Sequence, residues 1–132
     1  MEVVLRNARI VTPTEVVAGS IQIRDGLIAS IDSGPASVGE DLGGDVLMPG
    51  VIDLHTDTLE KHYFPRPNID WNPASAAVTH DGCTLSVGVT TVFNSLSIGS
   101  YNTSAARGED NTHRLVEGLF AAERDGLLKA DH

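Results

Sequence analysis

A histidine and an aspartate two residues apart close the run Pro49-Gly50-Val51-Ile52-Asp53-Leu54-His55-Thr56-Asp57. An imidazole nitrogen and a carboxylate oxygen both ligate divalent ions such as zinc or another transition metal, and i, i+2 spacing on an extended strand puts His55 and Asp57 on one side. Such a metal would lower the pKa of bound water and polarise a phosphoryl oxygen. The bland alternative is a satisfied pair at a strand end, and spacing alone does not choose between them. Lys61 and Arg66 follow closely. Arg forms bidentate bonds to phosphate oxygens and Lys supplies a mobile point charge, so both suit a phosphorylated substrate. As solvated loop cations they would instead pair with Glu60 or Asp70. His80 precedes Asp81, and a carboxylate beside an imidazole can hold one tautomer. That pair suits a substrate contact, a hydrogen bond supporting a metal ligand, or a structural role on a helix. His62, His113 and His132 stand in no motif, and no residue is assigned as general acid or base.

The elements that must position these groups follow from the apolar pattern. Residues 3–11, 16–24 and 27–31 are rich in β-branched side chains and separated by turn chemistry, which predicts a small antiparallel sheet. Thr12-Pro13-Thr14-Glu15 makes the first turn, and Asp25-Gly26 between apolar runs is a two-residue hairpin signal. Residues 33–44 lack periodicity and read as a loop, placing a boundary between a β-subdomain at 1–50 and a second region at 51–132. Residues 51–54 read as a short strand of the kind buried in parallel sheets. A Pro-bearing loop at 64–73 leads to a helix over 74–87 ending at Gly88, then a strand at 90–93. A polar loop over 99–110 precedes a helix over 111–128 with Leu115, Leu119, Phe120 and Ala122 as its apolar stripe. Strand, helix, strand, helix implies parallel βαβ units, as at the opening of a TIM-like α/β barrel, and two such units cannot close one. At the C-terminal mouth of a barrel, His55 and Asp57 could share an ion. Trp71 reads as a packed loop anchor and Cys83 as a small core residue.

Composition narrows the partners. The chain has 132 residues, 41% hydrophobic and 20% charged, as in a soluble globular protein, with a formal charge of -9 that opposes nucleic acid and anionic membranes. No run approaches the ~20 apolar residues of a membrane span, and the first residues have no signal-peptide pattern. Single Cys83 excludes an intrachain disulfide and a cysteine-based zinc site, which fits a reducing cytoplasmic setting.

A strand-rich first half, a Pro-Gly break and a strand ending in His55-x-Asp57 together resemble the opening of the amidohydrolase superfamily. Most of that superfamily carries His-x-His, so Asp57 narrows the comparison. The runs Asp53 through Lys61, Phe64-Pro65-Arg66-Pro67, Asp70-Trp71, His80-Asp81 and Gly88-Val89-Thr90-Thr91-Val92 resemble the PhnM-type phosphonate-metabolism diphosphatases across nearly the whole chain. The resemblance implies a metal-dependent hydrolase of the carbon-phosphorus lyase pathway, whose substrate is a phosphorylated ribose phosphonate. It converts α-D-ribose 1-methylphosphonate 5-triphosphate to the 5-phosphate and diphosphate. Metal binding carries over to His55 and Asp57 alone. The superfamily's later ligands have no counterpart here, so an N-terminal fragment inactive by itself is expected. Asp57 and residues 64–67 separate this reading from an amidohydrolase acting on C–N bonds. The missing ligands keep open a non-catalytic binding or assembly module, and a homo-oligomer is also left open.

Overall fold

In the computed structural model, which describes residues 1–67, 69–98 and 108–132, Asp25 and Gly26 have φ of 52° and 80°. Two positive φ angles in a two-residue loop match the right-handed twist of the strands they join. The hairpin therefore forms between β2 (Val16–Arg24) and β3 (Leu27–Ser33), and β2 also pairs antiparallel with β1 (Glu2–Val11). At the β1–β2 turn, the Thr12 N–H and hydroxyl both donate to the Glu15 carbonyl at 2.9 Å.

Residues 33–44, expected as a loop, are tied to β1 through Glu40 and Asp41. Strands β4 (Glu40–Asp41) and β5 (Val46–Leu47) both pair parallel with it, so the sheet is mixed rather than purely antiparallel. One carboxylate explains the attachment. Asp41 accepts from the Gly43 N–H at 2.9 Å and Asn7 Nδ2 at 2.8 Å, and lies 2.9 Å from Arg6. The Gly43 hydrogen bond, then those of its side-chain partners, hold Asp41 below the usual carboxylate range. Ala8, Ile10 and Ile21 form the core of this first compact unit, Met1–Pro49.

The second unit, Gly50–His132, is α/β. Strand β6 (Val51–Thr56) pairs parallel with β7 (Val89–Asn94) through a crossover carrying α1 (Thr58–Tyr63) and α2 (Pro73–Leu85), and α3 (Glu109–Arg124) follows. Helix α1 was not expected; its signal is only Leu59 and Tyr63, four apart and fully buried. At α2 the Asn72 side chain accepts the Ser75 N–H at 3.1 Å with Pro73 at the start, a standard N-terminal arrangement. Gly118 lets α3 approach α2 closely, since a Cβ there would lie 2.4 Å from Pro73 Cβ. Beyond α3, Asp131 bridges Thr91 in parallel, its N–H donating to Thr90 O at 2.9 Å. Two strands and one bridged position are an α/β layer, and no closed barrel exists among the described residues.

Several expectations fail for physical reasons. Ile52 and Leu54 are 56% and 75% exposed rather than buried, because β6 is paired along one edge only among the described residues. Phe120 leaves the α3 stripe, since one residue past Leu119 is a 100° rotation. The Trp71 ring is exposed, and it is the Trp71 backbone N–H that anchors the segment, donating to Tyr63 O at 2.9 Å. Cys83 is exposed, at the margin of the face on which α2 buries Ala76, Ala77, His80 and Asp81. Most of the polar loop expected at 99–110 lies outside the described residues.

Candidate functional site

Strand β6 ends at Thr56, so Asp57 is not an extended residue but the N-cap position of α1, with φ −106° and ψ 14°. The strand's alternation therefore stops one residue before Asp57. Both His55 and Asp57 nonetheless occupy the C-terminal end of a parallel strand, the end where α/β folds gather their sites. His55 is exposed, and its Nδ1 lies 2.9 Å from Ser95 Oγ just past β7. Its backbone N–H donates to the Asp53 carboxylate at 3.1 Å. A partner on Nδ1 fixes the ring and leaves Nε2 for a further ligand. Asp57 lies 3.2 Å from Lys61 Nζ, one helical turn along α1. The Lys61 hydrogen bond first, then its charge and that of His55, hold the Asp57 carboxyl below the usual range.

The structure thus gathers three of the five expected residues: His55, Asp57 and Lys61. Arg66 is exposed in the following segment, its backbone bridging Ile69, and no ion pair or hydrogen bond among the described residues joins it to the turn. His80, expected to contact substrate, is corrected by its burial: it is fully enclosed on α2 and offers solvent no edge. Burial is the main reason its imidazole is pushed down to about 4, with the neighbouring His132 and His62 adding to it. Its Nδ1 lies 3.2 Å from Thr58 Oγ1, which is itself 2.8 Å from Thr56 Oγ1. Asp81 is also buried and accepts backbone N–H groups from Ala130 at 2.8 Å and Lys129 at 3.1 Å, with His132 Nε2 at 3.2 Å. Burial would raise its carboxyl, but these donors together hold it below the usual range.

Sequence reading missed Thr58, Asn94, Ser95 and His132. The readable signal was modest: Thr56 and Thr58 flank Asp57, and small hydroxyl side chains favour local hydrogen bonds to a turn. His132 carried none, since its partners Asp81 and Asn94 lie 51 and 38 residues away.

His55 and Asp57 offer one nitrogen and one oxygen, donors suited to a divalent ion but fewer than the three protein ligands of a catalytic zinc site. Among the described residues no group of three or more His, Cys, Asp or Glu side chains could hold a metal. The two therefore fit as part of a site. A cleft of about 390 Å³ lies elsewhere in this unit, against Val92, Phe93, Leu119, Phe120 and His132, and none of the five expected residues lines it.

Comparison with known proteins follows the same line. The chain is 32% identical over 131 residues to the α-D-ribose 1-methylphosphonate 5-triphosphate diphosphatase of Escherichia coli (strain K12), covering 98% of this chain and 34% of that protein. This chain resembles the phosphonate diphosphatases of the amidohydrolase superfamily. It spans about a third of the length of that relative. A dihydroorotase of Syntrophus aciditrophicus matches at 32% over 85 residues, 59% of this chain and 20% of that protein. Among solved structures, N-acetyl-D-glucosamine-6-phosphate deacetylase of Mycobacterium smegmatis superposes with a TM-score of 0.58 at 23% identity, over 96% of this chain and 31% of that one. That likeness speaks to fold alone. No family model matches the chain.

Proposed function

We propose that the chain supplies His55 and Asp57 as the first two metal ligands of an amidohydrolase-superfamily hydrolase that cleaves a phosphoric anhydride. Its substrate would be α-D-ribose 1-methylphosphonate 5-triphosphate, with the 5-phosphate and diphosphate as products. The observation that carries this reading is the end of β6, where Ser95 holds one nitrogen of exposed His55 and Asp57 follows as a carboxylate. Superfamily members typically use a divalent metal. Bound here, it would polarise a phosphoryl oxygen and make water a better nucleophile. Lys61, already beside Asp57, adds a positive charge for the triphosphate, and Arg66 offers a bidentate donor from the next segment. In a chain of formal charge -9, these local cations offset repulsion of an anionic substrate. By this reading the α/β unit is the opening of a barrel whose other strands bring the remaining ligands.

A chimera tests the proposal. The 132 residues replace the matched segment of the Escherichia coli diphosphatase, folding is checked by circular dichroism, and diphosphate release is assayed with zinc supplied. The chain alone should be inactive and the chimera active. His55→Ala or Asp57→Ala should each lower the chimera's rate by more than about 100-fold. A folded chimera indifferent to both substitutions refutes the assignment. The similarity to a dihydroorotase favours one second reading, hydrolysis of a C–N bond in a cyclic amide. Activity of the same chimera on dihydroorotate but not on the triphosphate would establish it instead.

A further inference from the structure

Four parts of the α/β unit contribute side chains to one buried polar line: Thr58 of α1, His80 and Asp81 of α2, Asn94 of β7 and His132 beyond α3. Asn94 Nδ2 lies 3.1 Å from His132 Nδ1, and His132 Nε2 lies 3.2 Å from Asp81 Oδ1, with both His132 and Asp81 side chains at least 95% buried. At the other end, His80 Nδ1, Thr58 Oγ1 and Thr56 Oγ1 follow at 3.2 and 2.8 Å. One link is open. His80 Nε2 and Asn94 Oδ1 are buried without a hydrogen-bond partner among the described residues. A protonated ring nitrogen and an amide oxygen are complementary, and leaving both atoms unpartnered is unfavourable in an interior. The His80 and His132 rings lie 5.6 Å apart, and Asn94 is held on His132, which brings the two unpartnered atoms into the same locality.

Starting from an ionised Asp81, one consistent set of directions runs through the whole line. An ionised Asp81 only accepts, so His132 carries its proton on Nε2. Its Nδ1 then accepts from the Asn94 amide nitrogen, which leaves Asn94 Oδ1 as an acceptor for the unpartnered Nε2 of His80. His80 Nδ1 is left to accept the Thr58 hydroxyl proton, and Thr58 accepts from Thr56. We propose that Asp81 is a positioning residue: through His132, Asn94 and His80 it orients Thr58 and so fixes the backbone on both sides of Asp57. Its bearing on catalysis rests on the assignment of Asp57 as a metal ligand, whereas the hydrogen-bond chain itself does not.

Nitrogen NMR of the imidazole rings in the 132-residue chain, near neutral pH, reads the direction. Both His80 and His132 should carry a proton on Nε2 and none on Nδ1. Thr58→Val, nearly isosteric, should raise the Nδ1–H tautomer of His80 about fivefold, the equivalent of one lost hydrogen bond. It should also speed exchange of the residue-58 amide, now donated to Thr56 Oγ1, by about tenfold. Thr58→Ser should restore both. Wild-type His80 carrying its proton on Nδ1, or a Thr58→Val chain with tautomer and exchange unchanged, overturns the proposal. A zinc titration of the chimera separates the two claims: if its His55 signals do not respond while the tautomers of the 132-residue chain are as stated, the metal assignment fails and the chain of hydrogen bonds stands.

Discussion

The β unit, Met1–Pro49, and the α/β unit, Gly50–His132, are held by contacts of different reach. In the β unit the hairpins pair sequence neighbours, and the polar contacts at Arg6–Asp41, Arg24–Glu2 and Met1–Asp25 are solvent-exposed to a large degree. In the α/β unit the decisive polar groups are buried and their partners distant: Asp81 collects residues 129, 130 and 132 from 48 to 51 positions away. A unit closed by ladders spreads its stability over many backbone bonds. One closed by a buried carboxylate concentrates it in a single side chain, because removing that acceptor strands several desolvated donors at once.

The largest expected effect tests that concentration. Asp81→Ala should destabilise the α/β unit by about 2–4 kcal/mol, the cost of stranding several buried donors at once. Denaturant unfolding gives the size, and amide exchange gives the location. Amides of residues 129–131, and that of Val92, which donates to Asp131 O at 2.7 Å, should lose protection while β1 and β2 keep theirs. Equal loss in both units would break the comparison.

Acid should separate the units next. All five histidines lie in the α/β unit. Burial pushes His80 down to about 4 in the folded chain, against 6.5 for an ordinary histidine. Between those values the unfolded chain binds more protons, so stability rises with pH and is lost as pH falls from 6.5 to 4, by roughly 3 kcal/mol in total. Below that, protonation of Asp81, whose folded pKa is depressed, removes more. The β unit should hold constant stability across pH 6.5 to 4.5, where it has no histidine to titrate. Residue-resolved exchange at several pH values checks this, and His80→Asn should flatten the slope in the α/β unit.

The same contrast explains what the sequence made legible. Strands β1 to β3, the Asp25-Gly26 turn and the Leu115 stripe are local patterns, readable from period and turn chemistry. So was the strand ending in His55, although Asp57 turned out to open a helix. What escaped depends on distance along the chain. Residues 40–44 look like a loop until Arg6 and Asn7 are placed beside Asp41, and α1 shows only Leu59 and Tyr63 as evidence. His132 has no local context whatever, yet Asn94 and Asp81 enclose it. His80 was singled out for its neighbouring carboxylate, but the hydrogen bond that Asp81 makes to an imidazole goes to His132 rather than to His80.

The smallest expected effect comes from the β unit, where a local change should stay local. Gly26 has φ +80°, and a Cβ built there meets nothing within 4 Å, so substitution adds backbone strain and no clash. Gly26→Ala should therefore cost about 1 kcal/mol, the left-handed penalty of a side chain at that φ. Because β1 and β2 pair independently of that turn over eight matched positions, the loss should appear as faster exchange in β3 and the adjoining end of β2, with Ala8 and Ile10 unaffected. A loss that reached the β1–β2 core, or exceeded that of Asp81→Ala, would mean that the hairpin turn concentrates stability just as the buried carboxylate does. The two units would then differ in composition but not in how they are held.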